Sequence, residues 1–433
     1  MTGGLQSDRF LNLSERTRHP MNMLAATSAV SFYALLSTVY KSTQALYAQP
    51  TNVSSLSDGL VDSDALPGVD VIVPCFNEQP RTLSACLESI ANQDYAGKLR
   101  VYVVDDGSAN LDAVRPVYDA YTRDPRFNLI TLPQNMGKRK AQIAAIRASS
   151  GELVLNVDSD TTLAPDVVKK LVLRMRDTTI GAAMGQLTAS NRNDTWLTRL
   201  IDMEYWLACN EERAAQARFG AVMCCCGPCA MYRRSALLLL LDQYETQLFC
   251  GKPSDFGEDR HLTILMLTAG YRTEYVPDSL GAYLRQRLRW ARSTYRDTLL
   301  SLRLLPCLDR YLTLEVIGLN LGSLFLALSL LAGLAQLALT ATVPWWTALI
   351  IASWTMIRCS VASVRARQIR FLGFSLHTPI NLFLLLPLKT YALGTLSNSD
   401  RLSRSVAANL PHGGGNRPSP ETRRRDRTLQ NFR

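Results

Sequence analysis

Forty-two consecutive residues, Val316–Ile357, carry no charged side chain. A run of that length does not belong to a surface helix of a water-soluble domain. It is enough for two helical membrane spans of about 20 residues each. Two further uncharged runs of 18 residues, Met23–Tyr40 and Phe371–Leu388, lie toward the two ends. Between Tyr40 and Val316 the chain has ordinary soluble character. The expected organisation is therefore a water-soluble domain held by membrane segments on both sides. Residues 1–22 read as a polar extension, 23–48 as an N-terminal anchor and 49–68 as a linker rich in Ser and Asp. Residues 69–293 read as the soluble domain and 294–315 as an amphipathic interfacial segment. Residues 316–396 read as a membrane region of three spans, or of two plus a re-entrant segment that Pro379 and Pro387 would allow. Residues 397–433 read as a basic, disordered tail.

The net charge is +10, and Lys389–Arg433, with nine Lys/Arg against three acids, supplies +6 of it. The tail has no nucleic-acid recognition motif and little aromatic interleaving. Contact with anionic lipid head groups suits a membrane protein better, and plain disorder is the bland alternative for Gly413–Arg427. Met23–Tyr40 lacks the small-residue cleavage site of a clear secretory signal and is expected to remain as an anchor, with the Ala-containing Leu46–Gln49 as the alternative, a cleavage site. Met21 or Met23 would serve as a start that removes the basic residues ahead of it. Ten cysteines are present, four of them within Cys224–Cys229. Cys226 and Cys229 have zinc-type spacing, but no second Cys/His pair matches it, so reduced thiols are expected.

The soluble domain alternates strands with helices. Val69–Pro74, Leu99–Val104, Asn128–Leu132 and the run from Leu153 read as strands. Arg81–Asn92, Leu111–Arg123 and the segment from Gly137 to about Ser149 read as helices. That order predicts a doubly wound, parallel α/β sheet. Such sheets place ligands beyond the carboxyl ends of their strands. Polar and acidic groups stand at those ends: Asn77 and Glu78, then Asp105 and Asp106, then Asp158 and Asp160. In an extended segment alternate residues share a face, so Asp158 and Asp160 are expected to point the same way. Two carboxylates that close repel unless a cation lies between them. A hard ion, Mg²⁺ or Mn²⁺, is the expected occupant, with a substrate phosphate beside it. Lys138, Arg139 and Lys140 oppose the dipole at their helix N-terminus, a conflict that a bound diphosphate would relieve. Asp194–Phe219 reads as one long helix, and Gly220–Tyr232 as two short strands around the cysteines. Glu258 and Asp259 open another helix. On a helix Gln286, Arg289 and Trp290 share a face. There Arg can grip phosphate oxygens and Trp can cover a sugar ring.

The ordered set Asp105/Asp106, Asp158-Ser159-Asp160, Glu258-Asp259 and Gln286-Arg287-Leu288-Arg289-Trp290 resembles the processive, inverting family 2 glycosyltransferases. Those are the cellulose, chitin and hyaluronan synthases. The resemblance covers roughly residues 69–293 and implies a GT-A-type domain flanked by transmembrane helices. It is strongest to the branch that builds the chitin-oligosaccharide backbone of nodulation factors. It implies a UDP-GlcNAc donor, a growing GlcNAc oligosaccharide as acceptor, and a divalent metal held by Asp158 and Asp160. Asp105 or Asp106 would bind uridine, and Asn77, Glu78 and Lys138 would line the donor site. Asp259 would be the general base. Gln286, Arg289 and Trp290 would hold the diphosphate and the acceptor end. The catalytic set is then Asp259, Asp160, Gln286, Arg289 and Trp290. Because UDP-sugars are cytosolic, the domain is expected on the cytoplasmic side of a bacterial inner membrane. Three alternatives stand beside this reading: a hyaluronan-type polymerase that also takes UDP-GlcUA, a nucleotide-sugar binding scaffold without catalysis, and a membrane-surface nucleic-acid binder. Four spans leave a narrow channel in one chain, so a homo-oligomer or other partner is an open alternative.

Overall fold

The computed structural model describes residues 39–48, 66–190, 192–249, 252–254, 257–282, 301–318, 338 and 345–380. Its centre is a seven-stranded sheet in the order β3-β2-β1-β4-β6-β5-β9. The strands are β1 (Val69–Cys75), β2 (Leu99–Asp105), β3 (Phe127–Thr131), β4 (Leu153–Asn156), β5 (Ile180–Thr188), β6 (Ala230–Arg233) and β9 (Arg272–Ala282). A small hairpin, β7 (Leu248–Phe249) with β8 (Lys252–Pro253), stands apart. β1 lies inside the sheet and is apolar apart from Asp70, with Val69, Val71, Ile72 and Val73 fully buried. That continuous run is what a strand covered on both faces requires. Burying a side chain the size of Ile72 contributes roughly 1.5–3 kcal/mol.

The crossover helices follow as expected: α1 (Pro80–Ala91), α2 (Leu111–Tyr121) and α3 (Lys138–Ala148). Pro80 starts α1, where a missing N–H costs nothing. Leu83, Cys86, Leu87 and Ile90 form its buried stripe. β1 pairs in parallel with β2 on one side and with β4 on the other. The strand order therefore reverses between β1 and β4, and a crevice opens at that switch point.

The sheet is mixed, which corrects the expectation of a wholly parallel one. β6 runs antiparallel to both β4 and β5. The chain enters β6 from the Gly227–Cys229 turn. Asn156, the last residue of β4, pairs with Ala230, the first of β6. A strand that starts at the carboxyl edge has to run back. The expected pair of strands in Gly220–Tyr232 is thus a 3-10 turn and one strand. Helix α4 (Val167–Met175) and strands β5 and β9 complete the sheet side. The single helix expected over Asp194–Phe219 is three pieces: α5 (Trp196–Leu207), a π-helical turn at Ala208–Arg213 and α6 (Ala214–Arg218). Then come α7 (Arg234–Glu245) and α8 (Glu258–Thr268).

The C-terminal part that is described leans on this domain. Helix α9 (Trp345–Ala366) continues past Ile357, where the long uncharged run ends. Residues Ile369–Leu376 form 3-10 turns rather than the start of an apolar α-helix. Phe371 and Phe374 pack with Cys359 and Ala362 of α9 against Leu200, Met203 and Leu207 of α5. Among the described residues no helix is long and apolar enough to cross a membrane. Most of the expected membrane stretches, including 23–38, 319–337 and 381–396, lie outside the described residues, as does the basic tail.

Candidate active site

The loop after β1 fixes the switch point. Asn77 adopts a left-handed backbone with φ +50°, which Asn tolerates better than most residues. Its N–H donates to Ser108 Oγ at 3.0 Å, and its Oδ1 accepts the Ala109 N–H at 2.8 Å. The loops after β1 and β2 are thereby tied together. Glu78 is buried. Its Oε1 accepts the Gln79 N–H at 3.1 Å, and its Oε2 accepts the Ser159 hydroxyl at 2.8 Å. Glu78 thus joins the end of β1 to the Asp158-Ser159-Asp160 segment beyond β4.

Asp105 and Asp106 close β2 and are both buried. Asp105 accepts the Ser108 N–H at 2.9 Å and the Tyr118 hydroxyl at 2.7 Å. Asp106 accepts the N–H groups of Met136 and Gly137 at 2.7 and 2.8 Å. Each oxygen of both carboxylates thus already holds a protein donor. Asp105 fastens the turn after β2 to α2, and Asp106 positions the loop that leads into α3. Gly107 is required here: φ is +66°, and a Cβ would stand 2.4 Å from the Gln134 carbonyl carbon.

β4 ends at Asn156, and the Thr161 N–H donates to the Asp158 carbonyl at 2.9 Å. Asp158 and Asp160 therefore sit in a turn, not in the extended segment expected. Asp158 is the better placed for the chemistry. Lys138, the first residue of α3, puts its Nζ 2.8 Å from Asp158 Oδ1, 3.0 Å from Glu258 Oε1 and 3.8 Å from Asp259 Oδ1. Three segments distant in sequence meet at this ammonium. Burial pulls the Lys138 pKa down, but the charges of Asp158, Asp259 and Glu258 outweigh it, and the net shift is well upward.

Arg139 and Lys140 do not join Lys138, which corrects the expected triple-basic diphosphate site. Successive helical side chains point about 100° apart, so three neighbours cannot face one ligand. Arg139 is buried and donates to the Tyr244 carbonyl and to Gln247 Oε1, with its guanidinium over the Tyr244 ring. It also meets His261 Nδ1 at 3.0 Å. Arg has no acceptor, so Nδ1 accepts and the ring proton lies on Nε2. Burial and the Arg139 charge push the His261 pKa down to about 3, and the ring is neutral. Lys140 pairs instead with Glu245 at 2.5 Å.

Glu258 and Asp259 open α8 behind Gly257, whose φ is +77°. Carboxylates in a first helical turn favour the dipole. Burial, only partly offset by Lys138, nevertheless raises the Asp259 pKa to about 8, with Glu258 and Asp158 adding to the rise. A carboxyl poised near neutral pH suits a general base. The backbone of Gly227 forms one wall. A Cβ there would fall 2.6 and 2.7 Å from the Asp259 oxygens and 2.8 Å from Lys138 Nζ. The preceding Cys226 thiol is pulled down to about 5 by hydrogen bonding with Cys224 and by Arg213, against burial. Its Sγ lies 3.1 Å from Arg213 Nη2, on the π-helical turn. π-turns recur at functional sites.

Sequence reasoning gave no site role to Glu258, Ser159 or Gly227. Glu258 was visible as the neighbour of Asp259. Gly227 was visible only through the family resemblance, which places acceptor contacts at Cys226-Gly227. Gln286, Arg289 and Trp290 lie outside the described residues. Among the described residues no group of three or more His, Cys, Asp or Glu is arranged to hold a metal ion. The hard oxygen donors of Asp158 and Asp160 still fit Mg²⁺ or Mn²⁺, whose remaining ligands are commonly water and substrate phosphate. The cysteines among the described residues are free thiols.

A carboxylate set at the carboxyl edge of an α/β sheet, with Asp259 raised to a pKa near neutral, suits group transfer to a hydroxyl. Comparison with known proteins defines the class. Residues 70–240 match the family model "Glycosyl transferase family 2". The fold resembles that of the mannosyltransferase PcManGT from Pyrobaculum calidifontis, solved in complex with GDP-Man and Mn²⁺ (TM-score 0.54, 23% identity, 82% of this chain and 99% of that one). The fold is that of a glycosyltransferase.

Full-length relatives narrow this further. An N-acetylglucosaminyltransferase of Sinorhizobium fredii is 72% identical over 92% of this chain and 100% of its own. One of Rhizobium sp. strain N33 is 74% identical over 90% and 89%. One of Rhizobium meliloti is 67% identical over 92% and 95%. The chain belongs to the rhizobial N-acetylglucosaminyltransferases of family 2, the group of nodulation protein C.

Proposed function

We propose that the enzyme transfers N-acetylglucosamine from UDP-GlcNAc to the end of a growing GlcNAc oligosaccharide. The product is a β-1,4-linked chitin oligosaccharide, the backbone of lipo-chitooligosaccharide nodulation factors. The observation that carries the reading is Asp259: a half-buried carboxyl with its pKa raised to about 8, walled by Gly227 and facing Lys138. A sugar hydroxyl is a poor nucleophile until its proton is removed. Asp259 takes that proton as the hydroxyl oxygen bonds to the anomeric carbon and the bond from that carbon to the UDP oxygen breaks. In-line attack turns the α-linked donor into a β-linked product and needs no enzyme nucleophile. A positioned base contributes about 10²–10⁴-fold.

Lys138 at the N-terminus of α3 offers charge to the departing diphosphate, and so does Arg289. Gln286 and Trp290 are assigned to the diphosphate and the acceptor end. A divalent ion, when bound, would stabilise the leaving UDP, and Asp158 and Asp160 would hold it. Glu78, Asn77, Asp105 and Asp106 shape the nucleoside side through the loops they fasten. The enzyme works as a multi-pass protein of the bacterial inner membrane with this domain on the cytoplasmic face, where UDP-sugars are. The uncharged runs at both ends support that placement.

The test uses membranes bearing the full chain, Mg²⁺ and UDP-GlcNAc alone, with products read by mass. Oligomers spaced by one GlcNAc and degraded by chitinase are expected. Polymer formed only once UDP-GlcUA is added would replace this reading with a hyaluronan-type synthase.

A further inference from the structure

Lys138 does more than offer a charge to substrate. Its Nζ stands among Asp158, Glu258 and Asp259 at 2.8, 3.0 and 3.8 Å. The backbone of Gly227 closes one side, since even a methyl group there would come within 2.8 Å of it. The adjacent cations Arg139 and Lys140 are tied to Gln247 and Glu245 on the far side of α3. The ammonium thus bridges the end of β4 to the start of α8, where like-charged side chains would otherwise repel. One of its partners, Asp158, is also the carboxylate assigned to the divalent ion.

We propose that Lys138 is a resident counter-ion that competes with the divalent ion for Asp158. The metal–nucleotide displaces the ammonium from Asp158, and the ammonium then moves to the diphosphate. Two consequences follow. Metal without nucleotide binds weakly, because it has to displace a cation that has nowhere better to go. Nucleotide and metal bind cooperatively, because the diphosphate supplies both metal ligands and a new partner for Lys138. The inference rests on the assignment of a divalent ion to Asp158 and Asp160 and adds the regulation of that site.

The test is Mn²⁺ binding to the purified full-length protein in detergent, followed by the electron paramagnetic resonance signal of free Mn²⁺ with and without UDP. In the wild type, UDP should tighten Mn²⁺ binding by about tenfold or more, since unit charges this close exchange at least that much energy in a partly buried site. By linkage Mn²⁺ should tighten UDP equally. Lys138→Met should bind Mn²⁺ without UDP about tenfold more tightly than wild type, with a smaller gain from UDP. Lys138→Arg, which keeps the charge, should stay close to wild type. Unchanged or weaker Mn²⁺ binding in Lys138→Met, with its melting midpoint preserved, overturns the competition while leaving the metal site standing. Should Lys138→Met fail to fold, the wild-type coupling still decides: equal Mn²⁺ affinity with and without UDP overturns the proposal. No Mn²⁺ binding in any variant, even with UDP, overturns the metal assignment as well.

Discussion

The two edges of the central sheet treat carboxylates in opposite ways. At the amino edge, Asp70 of β1 is fully buried and receives four donors: Arg100 Nε and Nη2 at 2.8 and 3.1 Å, and the N–H groups of Ser150 and Gly151 at 2.7 and 2.6 Å. At the carboxyl edge, Asp158, Glu258 and Asp259 gather around the single ammonium of Lys138. The first arrangement matches charge with charge and gives both oxygens donors, one on Oδ1 and three on Oδ2. The second places more negative charge than Lys138 can match, and Asp259 pays in a raised pKa. A carboxylate matched in this way holds strands together. An under-compensated cluster is poised for protons and cations, which is what sugar transfer from a nucleotide demands.

The sharpest break in this comparison is Asp259→Asn. It should lower transfer by ~10²–10⁴-fold. The melting midpoint should hold or rise, because a strained carboxyl is gone. Asp70→Ala should do the reverse. Leaving Arg100 and two N–H groups without an acceptor costs on the order of 3 kcal/mol. The melting midpoint should drop, while turnover per folded molecule stays near wild type. Gly227→Ala presses a methyl onto Asp259 and Lys138. A displacement of this kind should cost roughly 10²-fold in kcat/KM, with only a small change in melting.

The pH dependence follows from the same residue, with opposite signs for activity and stability. A base has to be ionised, so kcat/KM should climb as pH rises through about 8. The Asp259 pKa is raised above its ordinary 3.8 in the folded state. Its contribution to stability is therefore full below the ordinary value and is lost as pH rises through about 8. Asp259→Asn should flatten that part of the melting-midpoint profile. The smallest effect belongs to Lys140→Ala, which removes a partly exposed pair with Glu245 worth about 0–1 kcal/mol. Its transfer rate should equal that of wild type, in contrast to Lys138→Ala.

How much of this was legible in the sequence depended on the scale of the question. The apolar runs of β1, β2 and β4 and the acidic residues at their ends located the site, because strand direction and the switch-point rule act through the backbone. Side-chain direction was harder. Lys138, Arg139 and Lys140 are neighbours in sequence, yet the helical turn sends only Lys138 into the site. Asp158 and Asp160 were expected on an extended strand, but a turn begins at Asp158. The reversed β6 was not legible, since strand polarity is not written in composition. It follows from where the Gly227–Cys229 turn delivers the chain. The packing role of Gly227 was equally hidden, because it is the space that two distant side chains fill.

The most direct measurement is UDP-GlcNAc binding to Asp259→Asn, by calorimetry on the purified full-length protein, beside its transfer rate. If Asp259 takes the acceptor proton, the variant should bind donor within a few-fold of wild type and make no measurable oligosaccharide. Loss of donor binding in step with loss of transfer would show that Asp259 holds the donor and is not the base.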